Sequence, residues 1–462
     1  DLRARNRTHP SQQQSVVVQH FASERTCCAS PVSVERVTEQ EESCQMGSNQ
    51  SGSRSHVYEE AARCYTTEEL GNWEADFHHN AHSSPDTGMP CLDLRQFEGW
   101  AGKGGLLAAR VFVGVGEGSS FLSLDQILQA KMAAERSPKA SAINLAFRCA
   151  RGSSRALTWE ELKEVMLEGI LEIHGAASST SAQEVALAEA ASSAAASITG
   201  ERPDLIRNSD ITQDAFHNWA AQVPALVNLL LSYLRPSGRT APLVPTLHSN
   251  CDSSTNLLVH AAHAWIIGSM LQDHQRAQWS LLYNSKLHGT SLSTFVGKCT
   301  GRGAAILVVK DTKGHIFGAF AAEPWRIHAD FFGNFHTFLY QLIPTTRVHR
   351  PSGKNDKFQW CAANFQSVRN GIGFGHQENR YGLWIDKDMT SGSSYQCSTF
   401  DSPCLAHTTE FEIDTIECWE VSPSVKESNN SSSVTGSVLD RFKEDRAVLQ
   451  MAGHAGHSEG VR

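Results

Sequence analysis

The sequence predicts an α+β protein, with a helical N-terminal region, an antiparallel β-rich region and a short C-terminal helix. Two observations predict this order. Apolar residues recur at helical spacing between about residues 90 and 235, whereas short runs rich in β-branched and aromatic residues, each ended by turn residues, recur from about 279 to 421. The second pattern indicates strands joined by tight connections.

The β-rich region is expected to form a two-sheet antiparallel β-sandwich with flanking helices. Uninterrupted apolar runs such as 306–309 are typical of strands buried on both faces, whereas the alternation in 411–414 is typical of strands with one wet face. The turn residues 311–314 predict a hairpin, so the first two strands are antiparallel. The predicted strands are 304–310, 315–321, 337–343, 358–363, 381–386, 394–400 and 408–421.

Composition and charge exclude several classes of function. The net charge is −9, from 40 Lys and Arg against 49 Asp and Glu, and no cluster of five basic residues occurs, which argues against nucleic acid as a partner. The longest apolar candidate, 223–234, is interrupted by Pro224 and is shorter than the roughly 18 to 20 residues that span a bilayer. The 12 scattered cysteines indicate reduced thiols in a cytosolic protein.

Two segments lack the apolar residues needed for a packed core. Residues 1–58 are rich in Ser, Gln, Glu and Arg and are predicted to be disordered. Residues 174–208 are Ala- and Ser-rich, which is compatible with some helix, but they have no apolar stripe that could dock, which predicts a linker or surface insertion. His78, His79 and His82 are predicted to lie in a solvated loop, because no Cys or carboxylate set accompanies them at metal-site spacing.

The helical domain is assigned to 90–235 and contains a loop that looks like a degenerate EF-hand. With Glu161 as its twelfth position, positions one, three and five are Ala150, Gly152 and Ser154. Calcium needs six to eight oxygen ligands, which this set does not supply, so no metal binding is expected there. Thr158 and Glu161 form a predicted capping box, and we expect the helix pair to serve packing.

No catalytic or cofactor-binding residue is predicted. Cys361, Cys397 and Cys418 lie in predicted strands among aromatic residues, the setting of inert core thiols. A lone His288 is expected at a helix end. The glycines of 371–375 precede a further strand rather than a helix, which argues against a phosphate-binding loop and favours backbone turns or close sheet packing.

The C-terminal segment 437–452 is predicted to form an amphipathic helix. Val438, Leu439, Phe442 and Leu449 lie along one side of it, surrounded by charged residues. Because an isolated helix of this length is marginal in water, we expect these four residues to contact a partner.

The β-rich region also resembles the TLDc domain family, and the TLDc domain is assigned to 257–421. Eight short motifs carry the resemblance in order: 279–283, 287–291, 308–311, 317–320, 371–375, 382–386, 397–400 and 416–419. With its degenerate EF-hand-like helices and C-terminal helix, the chain is similar to a subgroup associated with mTOR signalling and lysosomes.

The resemblance implies a function in binding. Family members bind the V-type proton ATPase and alter its assembly or activity, and in the similar subgroup the C-terminal helix inserts into the catalytic head of the pump. It implies a non-enzymatic adaptor without cofactors, cytoplasmic and peripheral at the lysosomal or vacuolar membrane, with peripheral pump subunits and mTOR-pathway proteins as partners. The alternatives are an antioxidant enzyme that uses a TLDc cysteine and a calcium-sensing scaffold.

Overall fold

The computed structural model describes residues 55–84, 88–174, 181–193, 209–234, 242–249 and 257–421. Its α+β architecture confirms the predicted fold class, since helices precede a mostly antiparallel sheet of eleven strands. The predicted C-terminal helix 437–452 lies outside the described residues, as does nearly all of the segment 1–58. None of the helices in the described ranges is long and apolar enough to cross a membrane.

The described helices that precede the sheet run from residue 56 to residue 232. Helix α1 begins at His56, inside the range 1–58 that was predicted to be disordered. The Ser55 side chain accepts a hydrogen bond from the Tyr58 N–H and caps this helix. The helices are α1 His56–Cys64, α2 Thr67–Asn80, α3 Leu94–Ala101, α4 Leu106–Gly116, α5 Leu124–Glu135, α6 Lys139–Arg151, α7 Trp159–His174, α8 Ala182–Ser193, α9 Gln213–Gln222 and α10 Pro224–Ser232.

Two backbone bridges join these helices into paired helix–loop–helix units. Leu92 and Leu122 exchange two N–H to C=O hydrogen bonds of 2.9 Å, and the Ile211 N–H donates to the Leu157 C=O at 2.7 Å. Each of these four apolar residues is buried and immediately precedes the residue that caps α3, α5, α7 or α9. A buried apolar residue followed by a cap is therefore the repeated design of this region.

Two expectations for the helical region were wrong. His78 and His79 lie in the last turn of α2, and His82 lies in the two-residue strand β1 (His82–Ser83), paired with β2 (Pro90–Cys91), rather than in a solvated loop. Part of the Ala/Ser-rich insertion 174–208 forms α8, which docks firmly although it lacks an apolar stripe. Its small residues allow close contact, and its last carbonyls accept hydrogen bonds from the Thr346 N–H at 3.0 Å and the Trp219 indole at 2.7 Å.

The strands that follow are β3 Thr246–His248, β4 Gln278–Asn284, β5 Ala305–Asp311, β6 Ile316–Ala321, β7 Phe338–Ile343, β8 Arg347–His349, β9 Gln359–Ala362, β10 Gly371–Gln377, β11 Arg380–Asp386, β12 Ser391–Ser393 and β13 Glu410–Glu420. Helices α11 Ala261–Ser269, α12 Ser285–His288 and α13 Leu292–Cys299 interrupt them. The predicted antiparallel hairpin at 311–314 is confirmed by the pairing of β5 with β6. The prediction of a strand at 394–400 is wrong, because β12 ends at Ser393 and the residues after it do not continue the strand.

Strand β13 connects the two halves of the sheet. Its first residues pair with β12, and its remainder lies between β5 and β4. The sheet has the strand order β8-β7-β6-β5-β13-β12-β11-β10-β9 and folds over at β13. As a result, Leu307 and Leu339 of one half share a core with Phe374 and Leu383 of the other half. The two halves therefore pack face to face, as expected of a sandwich.

The outer face of the first half packs against the helices. Ile306, Val308, Phe338 and Tyr340 alternate along β5 and β7 with the sandwich core residues, and they lie in one continuous apolar cluster with helical residues such as Trp265. Strands β5, β6 and β7 are thus buried on both faces, as their uninterrupted apolar runs predict. The helical region and the sheet share a core.

A buried carboxylate on β13 ties this sheet to the chain that enters α11. Glu417 is fully buried, and its Oε1 accepts hydrogen bonds from the Leu258 N–H (2.7 Å) and the Asn284 side-chain amide (2.9 Å). Its Oε2 accepts from the Val259 N–H (3.0 Å) and the Trp419 indole (2.9 Å). Four donors converge on the carboxylate, which satisfies the requirement that a buried charge be fully hydrogen-bonded.

We predict that Glu417→Gln destabilises the fold by about 2–4 kcal/mol, because the new amide nitrogen would face two N–H donors and lose both hydrogen bonds. Denaturant unfolding of the full chain measures this change. The matched control is Glu412→Gln on the same strand, which is exposed and is expected to change the unfolding free energy by less than about 0.5 kcal/mol. Equal stability of the two variants would contradict the role assigned to Glu417.

Stability is also predicted to fall below pH 6.5. Burial, followed by the charge of neighbouring groups, lowers the pKa of His263 to about 3 and that of His349 to about 4. Both imidazoles are neutral in the folded chain and take up protons near pH 6.5 in the unfolded chain, so their contribution is complete above that pH. It decreases by about 1.4 kcal/mol per pH unit for each histidine as the pH falls toward the folded values.

Unfolding free energies measured between pH 7.5 and pH 5 test this prediction. His263→Leu is expected to halve the slope that the two histidines produce, whereas substitution of the exposed His336 by Gln is expected to leave the slope unchanged. An unaltered slope in the His263 variant would show that this imidazole is not held neutral.

Candidate functional site

The residues of the EF-hand-like loop do not converge as ligands. Ala150 is fully buried in the last turn of α6, and its carbonyl accepts a hydrogen bond from the Arg110 guanidinium at 3.0 Å. Gly152 ends that helix with a φ of +58°. Only the Ser154 and Glu161 side chains meet, the Ser154 hydroxyl donating to Glu161 Oε1 at 3.2 Å. The backbone thus keeps a helix–loop–helix form while the loop residues point to different neighbours.

The capping box predicted for this loop is confirmed. Glu161 Oε2 accepts from the Thr158 N–H at 2.8 Å, and the Glu161 N–H donates to Thr158 Oγ1 at 3.2 Å. Both carboxylate oxygens are therefore engaged within the protein. In the ranges that the structure describes, no group of three His, Cys, Asp or Glu residues is placed to hold a metal ion.

The cysteines of the β-rich region are buried, except for the half-buried Cys404. Cys361, Cys397 and Cys418 are at most 1% exposed, and burial raises the pKa of the Cys361 thiol to about 12. Burial, and then the neighbouring Cys418, raises the pKa of Cys299 as well. Nucleophilic attack and peroxide reduction require an accessible thiolate. The Cys361 and Cys299 thiols are buried and their raised pKa keeps them protonated, and the Cys397 and Cys418 thiols are buried as well, so none of the four has the accessibility that such chemistry requires.

His288 is the last residue of the short helix α12, as predicted for a helix end. Its Nδ1 accepts a hydrogen bond from the Asn284 N–H at 3.0 Å, and burial, with a smaller effect of Lys298, lowers its pKa. The ring nitrogen that could act as a base is thus occupied by the backbone. This imidazole serves the local turn.

The glycines of 371–375 lie in strand β10 rather than in a loop. Residues Glu378 and Asn379, both with positive φ, turn the chain directly into β11, so no helix N-terminus follows that could receive a phosphate. A Cβ at Gly373 would lie 2.7 Å from the Tyr381 ring, and one at Gly375 would lie 2.5 Å from the Cys397 sulfur. Close sheet packing accounts for Gly373, and Gly375 meets both expectations, since it is closely packed and has a φ of +65°.

Buried polar residues at the junction of the helices and the sheet were missed by sequence reasoning. The alternation of 416–419 suggests one wet face, yet Glu417 is buried there, and His263 is 5% exposed in α11. The one signal in the sequence is that Glu417 stands between an isoleucine and a cysteine in a predicted strand. This pattern does not show whether the face of the strand that carries the glutamate is buried or exposed to solvent. The predicted partner-binding residues Val438, Leu439, Phe442 and Leu449 lie outside the described residues.

Comparison with known proteins finds relatives that align with up to about half of the chain. MTOR-associated protein MEAK7 of Danio rerio is 31% identical over 255 residues, which are 53% of this chain and 56% of that protein. The Homo sapiens protein of that name is 36% identical over 199 residues, 42% of this chain and 43% of the relative. Oxidation resistance protein 1 of Bos taurus is 34% identical over 142 residues, 30% of this chain and 16% of that protein.

The matches thus extend over roughly half of the MEAK7 proteins and a small part of the oxidation resistance protein. The family profile described as the TLDc domain matches residues 252–422, which include the range 257–421 that carries the motifs. Those residues form the folded-over sheet and its flanking helices. Residues 252–422 are therefore a TLDc domain.

Proposed function

We propose that this protein is a non-catalytic adaptor that binds the V-type proton ATPase through its TLDc domain and C-terminal segment and takes part in mTOR signalling. The observation that carries the proposal is the TLDc domain together with relatives that bear the name MTOR-associated protein. The proposed location is the cytoplasm, at the surface of the lysosomal or vacuolar membrane, reached through the pump.

Burial of the candidate chemical groups supports a binding role. Catalysis by a thiol, an imidazole or a metal requires groups that are accessible and correctly ionised. In the described part of the TLDc domain, Cys361 and Cys418 are covered by packing, and the His288 ring accepts a backbone hydrogen bond. We therefore expect the domain to interact with other molecules through its outer surface.

The helical region is proposed to act as an EF-hand-like scaffold that works without calcium. Its two backbone bridges join loops in the way that paired EF-hands are joined. One pairs Leu92 with Leu122, and the other pairs Thr158 with Asp210 beside the hydrogen bond from Ile211 to Leu157. Side-chain caps stabilise the first turns of the helices, and the Glu161 carboxylate accepts a hydrogen bond in one of these caps. The scaffold would present a constant surface rather than open on a calcium signal.

The C-terminal segment is proposed to enter the catalytic head of the pump. Val438, Leu439, Phe442 and Leu449 would supply the buried anchors, each contributing about 1.5–3 kcal/mol when fully buried. A helix wedged between rotating and fixed subunits would slow or hold rotation. The TLDc domain would meanwhile bind the peripheral subunits from outside.

A second candidate, an antioxidant enzyme, is favoured by one observation, the similarity to a protein named Oxidation resistance protein 1. That name is compatible with an indirect role in resistance, and the burial of the strand thiols favours the adaptor. The two proposals differ in a property that is simple to measure, the reactivity of the thiols.

Removal of the C-terminal segment tests the pump-binding proposal. We predict that deleting residues 437–462 strongly reduces co-purification of pump subunits from lysate. The double variant Phe442→Ala with Leu449→Ala is expected to weaken binding about a hundredfold through lost apolar burial. Pump ATPase rates are measured alongside. Lys443→Ala with Glu444→Ala is the control and is expected to bind like the unaltered chain, and undiminished pump recovery with the deletion would contradict the proposed role of the segment.

Thiol labelling of the folded chain tests the enzymatic alternative. Among the described cysteines we predict rapid labelling at neutral pH of the exposed Cys64 only, with partial reaction of the half-buried Cys404. Cys361, Cys397 and Cys418 should react only after unfolding, and peroxide consumption should be unchanged in a Cys361→Ser variant. Rapid native labelling of one of these three buried thiols would favour the enzyme and contradict the adaptor.

A further inference from the structure

Two adjoining cavities lie where α8 meets the chain before α11 and the outer face of the sheet. Their volumes are about 590 Å³ and about 230 Å³, and both are lined by Gln183, His260 and His263. Pockets that hold small molecules have volumes of about 300–1,000 Å³. The larger cavity has this size, and its walls come from both the helical region and the TLDc domain.

The larger cavity has an apolar wall and a cationic wall. Leu257, Leu258 and Ile343 contribute to the apolar wall. Lys310 continues the alternation of Ile306 and Val308, which lie in the core shared with the helices, and therefore reaches the cavity side of β5. Such a combination suits a molecule that carries both an apolar body and a negative charge.

The cavity is lined by the ammonium groups of Lys286 and Lys310 and by the Asp414 carboxylate, which leaves one net positive charge. Lys286 also lines the cavity, but its ammonium pairs with Asp414 at 3.0 Å. In the described ranges, Lys310 forms no ion pair. It is close enough to His263 that its charge helps to lower the pKa of that imidazole, although burial is the main cause.

His263 indicates that the cavity is built to receive a polar group. The side chain is 5% exposed, it lines both cavities, and neither ring nitrogen has a hydrogen-bond partner. The buried Nε2 of His174, on the wall of the smaller cavity, is also unpartnered. Leaving such groups unpaired is costly, so an occupant of the cavity that accepts their N–H groups would recover that free energy.

We propose that this junction cavity binds a small amphiphile with an anionic head, either a carboxylate or a phosphate. The head lies against Lys310, His260 and His263, where the ammonium and the imidazole N–H groups donate to it. The apolar body lies against Leu257, Leu258 and Ile343. A metal ion does not fit as the occupant, because no three ligating side chains converge in the described ranges. Binding would stabilise the contact between α8 and the sheet.

Titration of the full chain with three probes that share an eight-carbon body tests this proposal. Octanoate and octyl phosphate, used below their micellar concentrations, are expected to bind with saturable heat and to raise the melting temperature, whereas octanol is expected to bind at least about tenfold more weakly. Comparison of the two anions shows whether the head is a carboxylate or a phosphate. Equal binding of octanol and the anions would overturn the anionic assignment, and no binding of any probe would mean that the cavity holds water only and would overturn the proposal.

Two substitutions locate the binding site. Lys310→Met keeps the aliphatic stem and is expected to weaken binding of the anions about tenfold or more while leaving octanol binding unchanged. Lys313→Met, in the exposed hairpin turn of the same sheet, is the matched control and is expected to have no effect. Ala186→Trp, at an exposed position on the cavity side of α8, is expected to block all three probes without unfolding the chain. Unaltered anion binding in both the Lys310 and the Ala186 variants would contradict the assigned site.

Discussion

The carboxylate of Glu417 is the interaction on which the arrangement of the molecule depends. It is buried on β13, the strand that belongs to both halves of the sheet, and it accepts the N–H groups of Leu258 and Val259 just before α11. A buried carboxylate that binds four donors is held where all four can reach it, so it fixes the position of the chain that enters α11 relative to the sheet. Apolar packing alone is less directional, since it tolerates sliding of one layer over another.

The position of that carboxylate explains why the helical region and the TLDc domain share a core. The chain that Glu417 binds leads into α11, where Trp265 is fully buried between the helices and the outer face of β5 and β7. Without the helices, Ile306 and Tyr340 would be exposed on a flat sheet face, which is an aggregation hazard. The two parts are thus energetically dependent, and an adaptor built this way presents surfaces of both at a defined separation.

Sequence reasoning was reliable where local pattern and tertiary environment agree. The apolar runs of β5, β6 and β7 predicted burial on both faces, and the hairpin at 311–314 followed from its turn residues. Strand β10 was missed because three glycines weaken β propensity, yet the rings of Tyr381 and Trp384 need the space that glycine leaves. Helix α8 lacks an amphipathic pattern, and its docking depends on hydrogen bonds to its terminal carbonyls that only the folded chain supplies.

The EF-hand-like loop also shows what can and cannot be predicted from sequence. A sequence shows which loop residues are missing as calcium ligands, and Ala150, Gly152 and Ser154 sufficed to set that function aside. The sequence does not show which interactions stabilise the loop in place of a bound calcium ion. Here the twelfth-position carboxylate of Glu161 accepts the Thr158 N–H and the Ser154 hydroxyl, so that internal donors occupy the oxygens that a cation would otherwise use. Capping boxes also begin α3 and α5, and the Thr212 side chain caps α9, so the starts of these helices are held by groups of the chain itself. A region stabilised in this way does not depend on a calcium ion at the Glu161 loop for its conformation, and the cavity whose walls belong to both parts of the molecule is a separate site, at which the proposed amphiphile would act.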